Sequence, residues 1–174
     1  MDNLLLLQPT EALLPEIASY KAAMLAADSS MDGTGLLSRC EPAEWLSITR
    51  SLLSEATCLQ GWGPATQFVC IREGDGRIVG MIDLRHRFND YLAEYGGHIG
   101  YSVRPDERRK GYAKWMLQNV LSHARALGLD RVLVTCDDDN GGSRRTIEGC
   151  GGVFERTTVE PGEGSTLRRY WIDT

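Results

Sequence analysis

The residues best placed to do chemistry are Arg108, Gly111 and Ala113, in the pattern Arg-x-x-Gly-x-Ala. They follow a run of strand-forming residues, His98–Val103, and come where an apolar helical pattern begins. The first turn of a helix carries unpaired N–H groups and the positive end of the helix dipole, and both favour a phosphate group. Because glycine and alanine are small, they let such an anion approach the backbone. The pattern therefore predicts an anion-binding loop, with a charged surface turn as the alternative.

The composition is that of an ordinary globular protein. The chain has 174 residues, and we expect one domain over residues 1–174 with a core of its own. Hydrophobic residues make up 42% and charged residues 25%. The formal net charge of −5 argues against a nucleic-acid partner, so the basic loop is a local feature of an acidic molecule.

Cysteine and histidine are too scattered to suggest a disulfide framework or a zinc site. Neither the five cysteines nor the three histidines follow a metal-ligand spacing, so we expect free thiols in a reducing cytosol and no metal. Leu4–Leu7 is too short for a signal peptide or a membrane span. These features predict a soluble cytoplasmic protein without a membrane partner.

Hydrophobic periodicity predicts the elements of the first half of the chain. Leu4–Leu7 is predicted to be a strand, and helical spacing starts at Pro15 and again at Pro42. Thr66–Arg72 and Arg77–Leu84 flank an Asp-Gly turn, which is the pattern of a β-hairpin.

In the second half, Val132–Cys136 is almost continuously apolar, as a strand buried on both faces should be. Ser143–Gly149 is predicted to be a short helix, and Val153–Thr157 and Thr166–Ile172 a closing hairpin. With the strand and helix around the anion-binding loop, the predicted order is β-α-α-β-β-β-α-β-α-β-β.

Two polar segments show no regular period. Asp28–Arg39 is rich in Ser, Asp and Gly and is predicted to be a mobile loop. Arg85–Gly97 is polar and aromatic and is predicted to be a second loop, either a substrate-facing connection or an exposed hairpin end. Within it, His86 is a candidate for contact with a substrate.

These motifs in this order resemble the GNAT superfamily of N-acetyltransferases. The pattern at Arg108–Ala113 is similar to that family's acyl-CoA pyrophosphate loop, and Asn140-x-x-Ser143 to the entry into its penultimate helix. Gly97–Tyr101 and Arg169–Ile172 look like one sparsely characterised branch of predicted acetyltransferases. The resemblance implies an α/β (α+β) fold, with a mixed, mostly antiparallel sheet of roughly six to seven strands, a splayed central parallel pair, and about four flanking helices.

The resemblance also implies the donor, acetyl-CoA. Its pantetheine arm would pair with the splayed strand Ile99–Val103, opposite Val132–Cys136, and complete a broken backbone ladder. The residues implied to bind it are Tyr101, Val103, Arg108, Arg109, Lys110, Gly111, Tyr112, Ala113, Asn140 and Ser143.

Some of these residues have a simpler alternative role. Arg108 either orients the loop or contacts a phosphate. Arg109 and Lys110 either reach the adenosine phosphates or are merely solvated. Asn140 either binds the ligand or only caps a helix.

Acetylation of an amine needs a group that takes up the ammonium proton and a group that helps the thiolate to leave. The candidate bases are His98, at the start of the splayed strand, and Glu94 just before it. Many family members have a tyrosine acid at the position where this chain has Ile147. The alternatives here are an ordered water, no dedicated acid, or one of Tyr101, Tyr170 and Cys136.

The predicted activity is therefore acetyl-CoA-dependent N-acetylation of a primary amine, belonging to a small metabolite or to a peptide or protein, by direct attack in a ternary complex. One alternative is a CoA-binding sensor without turnover, which Ile147 suggests. Another is an acyltransferase that uses a longer acyl-CoA. Such folds often form homodimers through the closing hairpin, although no residue here demands it. The sequence lacks the Walker, nucleophile-elbow and dinucleotide-binding motifs.

Overall fold

A computed structural model describes residues 3–174 of the chain. Over this range the strands and α-helices follow in the predicted order, with seven strands and four α-helices. The strands are β1 (Leu4–Leu7), β2 (Ala65–Arg72), β3 (Arg77–Arg85), β4 (Ile99–Val103), β5 (Arg131–Asp137), β6 (Val153–Val159) and β7 (Thr166–Asp173).

The helices vary in type and length. Within residues 3–174, none is both long enough and apolar enough to cross a bilayer. The α-helices are α1 (Leu14–Ala26), α2 (Pro42–Ser51), α3 (Tyr112–Ala126) and α4 (Gly141–Glu148). Glu11–Leu13 and Pro105–Glu107 form 3-10 turns, and Leu92–Gly96 forms a π-helix.

The strands of the described chain form one mixed sheet in the order β1-β2-β3-β4-β5-β7-β6. Neighbouring strands are antiparallel except for β4 and β5, which are parallel and lie at the centre. The predicted fold class is therefore confirmed.

The parallel pair is where the sheet opens. In the described chain, β4 and β5 are in register only at Ile99 and Val134. The Arg104 N–H donates to the Val79 carbonyl, so the even-numbered residues of β4 turn their backbone groups toward β3. The odd-numbered residues, Tyr101 among them, turn theirs toward the gap. Such a gap offers strand-like pairing to an extended ligand.

Each face of the sheet has its own core. Helices α3 and α4 cover one face, where Met116 and Ile147 are fully buried. Helices α1 and α2 cover the other face with Tyr20 and Trp45. Because both faces are covered, the central strands are apolar on both sides, and this explains the continuous apolar run in β5.

Helix α3 begins only near the end of the Arg-x-x-Gly-x-Ala pattern. It starts at Tyr112, and Gly111 is its N-cap residue with a φ of 86°. Arg109 also has a positive φ, 64°. Glycine adopts this left-handed conformation at little cost, so Gly111 lets the chain turn sharply into the helix. The stretch from Arg108 to Gly111 is therefore a loop that precedes the helix.

The first polar segment is a well-anchored loop. The Trp45 indole N–H donates to the Thr34 carbonyl at 2.7 Å, and the Gln67 amide donates to the Gly33 carbonyl at 2.8 Å. A β-carbon at Gly33 would lie 2.2 Å from the Gly100 oxygen, so the loop lies directly on β4. These contacts come from distant segments, which the local composition does not reveal.

The second polar segment contains the π-helix. The buried Arg169 side chain donates to the carbonyls of Ala93 and Glu94 at 2.7 and 2.6 Å. The Thr135 hydroxyl donates to the Tyr95 carbonyl at 2.7 Å. These bonds satisfy carbonyls of an irregular backbone, and they fix the β3–β4 connection against β5 and β7.

Candidate active site

The gap between β4 and β5 opens into a cavity of about 1340 Å³ that reaches both faces of the sheet. On the face covered by α3 and α4, the loop before α3 and the start of α4 line it; we call this the basic side. On the opposite face, the loop after α1, the π-helix and the β6–β7 loop line it; we call this the acidic side. The basic side contains Arg108, Arg109, Lys114 and Arg145, and the acidic side Asp32, Asp83, Asp137, Glu160 and Glu163.

The loop before α3 has the features of an anion site. The N–H groups of Ala113 and Lys114 belong to the first turn of the helix, where no intrahelical carbonyl can accept them. A β-carbon at Gly111 would meet no described atom within 4 Å, so the backbone is open to close approach. The helix dipole adds positive potential at the same place.

Arg108 ties this loop to its surroundings. Its Nε donates to the Val103 carbonyl at 3.1 Å, and a terminal nitrogen donates to Ser29 Oγ at 2.5 Å. Of the two roles predicted for Arg108, these contacts support orientation of the loop.

A buried carboxylate, Glu107, fixes the loop from the other direction. It pairs with Arg72 at 2.9 Å, with Arg77 at 2.6 Å and with Lys110 at 2.6 Å. Burial alone would raise the pKa of Glu107, but the bonds from Lys110 and Arg72 hold it below its ordinary value. Of the ten residues predicted to bind the cofactor, nine line the cavity; Lys110, whose charge faces Glu107, is the exception among the described residues.

Tyr101 and Ser143 meet where the strands part. The Tyr101 hydroxyl lies 2.6 Å from Ser143 Oγ, and Asn140 Oδ1 accepts the Ser143 N–H at 3.0 Å. Asn140 is thus the N-cap of α4, the alternative foreseen for it, and its role as a ligand stays a prediction. Burial raises the pKa of Tyr101, so the phenol is protonated at neutral pH.

The candidate acids differ in whether they line the cavity. Ile147 is fully buried, and a β-carbon on Gly152 would lie 2.5 Å from its Cγ2. Tyr170 is also fully buried, behind the cavity lining, and donates to Glu148 at 3.1 Å. Tyr101 and Cys136 both line the cavity. Burial, followed by the nearby Asp137, raises the pKa of Cys136 to about 11.

His98 joins the two central strands. Its N–H donates to the Leu133 carbonyl at 2.7 Å, and its Nδ1 accepts the Leu133 N–H at 2.9 Å. The ring stacks on Phe88 with 4.0 Å between centroids. Burial, with a contribution from Arg85, lowers the pKa of His98 to about 4. The imidazole acts as a strand partner, so these contacts favour a structural role over the predicted role as base.

Glu94 is also engaged away from the cavity. Its carboxylate accepts hydrogen bonds from Arg156 at 2.7 Å and from Thr158 at 3.0 Å, and these lower its pKa. The contacts hold the π-helix on β6. His86 lies outside the lining formed by residues 3–174, with its Nε2 2.8 Å from Thr66 Oγ1. For Glu94 too, the geometry favours a structural role.

Asp83 is a further residue of the site, and no sequence motif pointed to it. It is buried, lines the cavity, accepts the Gly100 N–H at 2.9 Å and pairs with Arg85 at 3.2 Å. A lone carboxylate in the apolar run Ile78–Leu84 could have indicated it, because a buried charge needs a reason.

Three segments bring further carboxylates to the acidic side. Burial raises the pKa of Asp137, and the nearby charges of Asp32 and Glu160 raise it further. The Tyr91 hydroxyl donates to Glu160 and so ties the β6–β7 loop to the residues just before the π-helix. Carboxylates clustered in this way create a negative potential that favours a cation.

The described residues 3–174 contain no group of three or more His, Cys, Asp or Glu side chains that could hold a metal ion. All five cysteines are free thiols. The geometry instead allows an anionic ligand from one face and a cationic ligand from the other to meet in the gap.

Comparisons with known proteins agree with this architecture. A sequence model of the acetyltransferase (GNAT) family matches residues 34–151. Comparison with curated proteins gives no match. The ribosomal-protein-S5-alanine acetyltransferase from Vibrio fischeri is 15% identical with a TM-score of 0.76, over 99% of this chain and 94% of that one.

Two further similar structures contain ligands. Spermidine N-acetyltransferase from Vibrio cholerae, in complex with CoA and spermine, is 17% identical with a TM-score of 0.66, over 98% of this chain and 95% of that one. The yncA protein from Salmonella typhimurium, with its cofactor acetyl-CoA, is 15% identical with a TM-score of 0.67, over 98% and 93%. At these identities the likeness shows a shared fold.

Proposed function

The chain belongs to the acetyltransferase (GNAT) family, and we propose that it is an acetyl-CoA-dependent N-acetyltransferase. The acetyl group passes to a primary amine by direct attack in a ternary complex. The observation that carries this proposal is the cavity, which joins a basic side to an acidic side through the gap between β4 and β5. Donor and acceptor can therefore meet from opposite faces of the sheet.

The basic side fits acetyl-CoA. The N–H groups at the start of α3 and the open backbone at Gly111 suit its pyrophosphate, and the odd-numbered backbone groups of β4 suit its amide-containing arm. When bound, acetyl-CoA supplies an acyl group already activated as a thioester, so the protein mainly has to orient the reactants. The CoA and acetyl-CoA in two similar structures support the same donor here.

The acidic side fits a cationic amine. Asp32, Asp137 and Glu160 line it, and Arg85, a base that lines it too, is paired with Asp83. Similar structures include enzymes named for spermidine and for a ribosomal-protein alanine, both of which offer amines. We therefore expect the acceptor to be a cationic amine, either in a small molecule or in a peptide or protein.

Asp83 is the group we assign to uptake of the ammonium proton. Its carboxylate is buried beside Gly100, at the edge of the gap, on the side from which the amine would come. An amine that is protonated at neutral pH must lose a proton before it can attack, and a carboxylate can accept that proton.

Two measurements test the function. Calorimetry should show binding of acetyl-CoA, and release of free thiol should show turnover with cationic amines and less with neutral or anionic ones. Asp137→Asn should reduce the preference for cationic amines. The matched control is Asp130→Asn, which changes an exposed carboxylate before β5.

Absence of acetyl-CoA binding would overturn the proposal. Tight binding without turnover of any amine would favour the CoA sensor, and preference for longer acyl-CoAs in competition would favour the broader acyltransferase.

Several wider expectations belong with this proposal. We expect residues 1–174 to act as one catalytic domain, in the cytoplasm, without a nucleic-acid partner. A homodimer through the β6–β7 hairpin stays a prediction, which light scattering can check.

A further inference from the structure

Tyr101 lines the cavity where the two central strands part, on the face covered by α3 and α4. We propose that its hydroxyl donates a hydrogen bond to the sulfur that departs from the acetyl group. This inference rests on the proposed function. Tyr101 would supply the hydrogen-bond donor that Ile147, at the position of the tyrosine acid in many family members, cannot supply.

The position of Tyr101 follows from the register of the central strands. Ile99 and Val134 form the last pair before the gap, and Tyr101 and Cys136 lie two residues beyond it on either strand. Both side chains pack on the face covered by α3 and α4, and both line the cavity. An amine from the acidic side can reach the acyl carbon only in the gap, so the sulfur has to lie beside these residues.

The surroundings of Tyr101 prepare its hydroxyl as a donor. Ser143 Oγ lies 2.6 Å from the phenol oxygen, and the cap from Asn140 fixes Ser143. When Ser143 Oγ donates to the phenol oxygen, the phenol hydrogen can turn from the Ser143 carbonyl, a long 3.4 Å away, toward a ligand in the cavity. Burial raises the pKa of Tyr101, which favours the protonated phenol and thus the donor form.

The other candidates are less suited. Tyr170 lies behind the lining, and its hydroxyl already donates to Glu148. Cys136 lines the cavity, but a thiol is a weak hydrogen-bond donor. Tyr101 is the stronger donor of the two that face the gap.

The transfer step balances with Tyr101 in this role. The neutral amine nitrogen forms a bond to the acyl carbon, and the carbon–sulfur bond breaks with its electron pair going to sulfur. Tyr101 donates its O–H to the sulfur while this negative charge develops, and keeps its proton. The nitrogen loses one proton to water and the sulfur takes one up, so the products are an amide and a free thiol.

Tyr101→Phe removes the donor and keeps the ring. Because a hydrogen bond to a charged group is worth a factor of about 10 to 100, we expect kcat to fall by that factor. The affinity for acetyl-CoA, measured by calorimetry, should not change. A readout independent of turnover is the ultraviolet absorbance of the thiolate of bound CoA. The thiol pKa should be lower in the wild-type complex than in Tyr101→Phe, because a donor favours the charged form.

The controls separate the alternatives. Tyr170→Phe removes a phenol outside the cavity and should change neither kcat nor the thiol pKa. Ser143→Ala should shift both in the direction of Tyr101→Phe, but less. Unchanged kcat and thiol pKa in Tyr101→Phe would overturn the inference. It would also be overturned if kcat and the thiol pKa changed in Cys136→Ala and not in Tyr101→Phe. If the wild type acetylates no amine, the proposed function fails, yet the thiol titration still tests Tyr101 in the CoA complex.

Discussion

The basic and acidic sides of the cavity are assembled in different ways. On the basic side, the loop before α3 has local contacts, since Arg108 bonds Val103, five residues away, and Lys110 bonds Glu107, three residues away. Distant contacts, such as the bond from Arg108 to Ser29, 79 residues away, then hold this loop in place. On the acidic side, Tyr91 bonds Glu160, 69 residues away. The groups that would hold the pyrophosphate thus lie in one short segment, residues 108–114. The acceptor site exists only after distant parts of the chain have come together.

The largest effect is expected when the loop before α3 alone is damaged. Gly111→Asp places a negative charge at the start of α3, and at a distance of about 4 Å such a charge repels a phosphate enough to lower acetyl-CoA affinity by about 1,000-fold. Calorimetry measures the loss.

Gly128→Asp is the matched control. Gly128 has a φ of 81°, close to the 86° of Gly111, and both have open space around the β-carbon position. Both substitutions therefore carry a similar backbone cost, on the order of 1 kcal/mol of stability. Equal acetyl-CoA affinity in the two variants would contradict the anion site.

A smaller effect is expected on the acidic side. Asp83→Asn keeps an acceptor for the Gly100 N–H and removes the charge. We expect acetyl-CoA binding to be unchanged and kcat/KM for the amine to fall by about 100-fold at neutral pH. The loss should shrink as the pH rises, because more of the amine is then already deprotonated. A loss of the same size at every pH, in steady-state rates, would exclude Asp83 as the proton acceptor.

The smallest effect concerns His98, between the two sides. The pKa of His98 falls from its ordinary 6.5 to about 4 in the folded chain, so the unfolded chain takes up a proton first as the pH drops. Its contribution to stability is complete above 6.5 and is lost as the pH falls toward 4.

His98→Asn keeps a side-chain oxygen for the Leu133 N–H but does not titrate. At about pH 4.5 the wild type should lose about 2 kcal/mol through His98 that the variant does not lose. Urea unfolding at neutral and acid pH measures the difference. Parallel pH dependence in the two proteins would show that His98 is not the titrating group.

The sequence allowed the fold to be predicted because each element depends mainly on its own pattern. The Asp-Gly turn at 75–76 specified the β2–β3 hairpin, and the apolar run in β5 indicated a strand covered on both faces. The loop before α3 was recognisable for the same reason, since its glycine and basic residues are neighbours in the chain.

The rest depended on tertiary contacts that no local pattern contains. The π-helix looked like a loop because its partner, Arg169, is 76 residues from Ala93. His98 looked like a base because nothing near it in sequence shows that Leu133 occupies its Nδ1. Asp83 was not predicted because a single carboxylate in an otherwise apolar strand does not show whether its side chain faces solvent or a cavity.

The bonds from Arg169 to the π-helix also bear on how the molecule forms. Bringing together groups so far apart in the chain costs loop-closure entropy, so contacts of this kind form late in folding. The π-helix, which forms part of the wall of the acceptor pocket, is therefore expected to assemble late and to open early, with amide protons that exchange before those of α3. Warming toward unfolding would then loosen the amine side of the cavity while helix α3 is still formed.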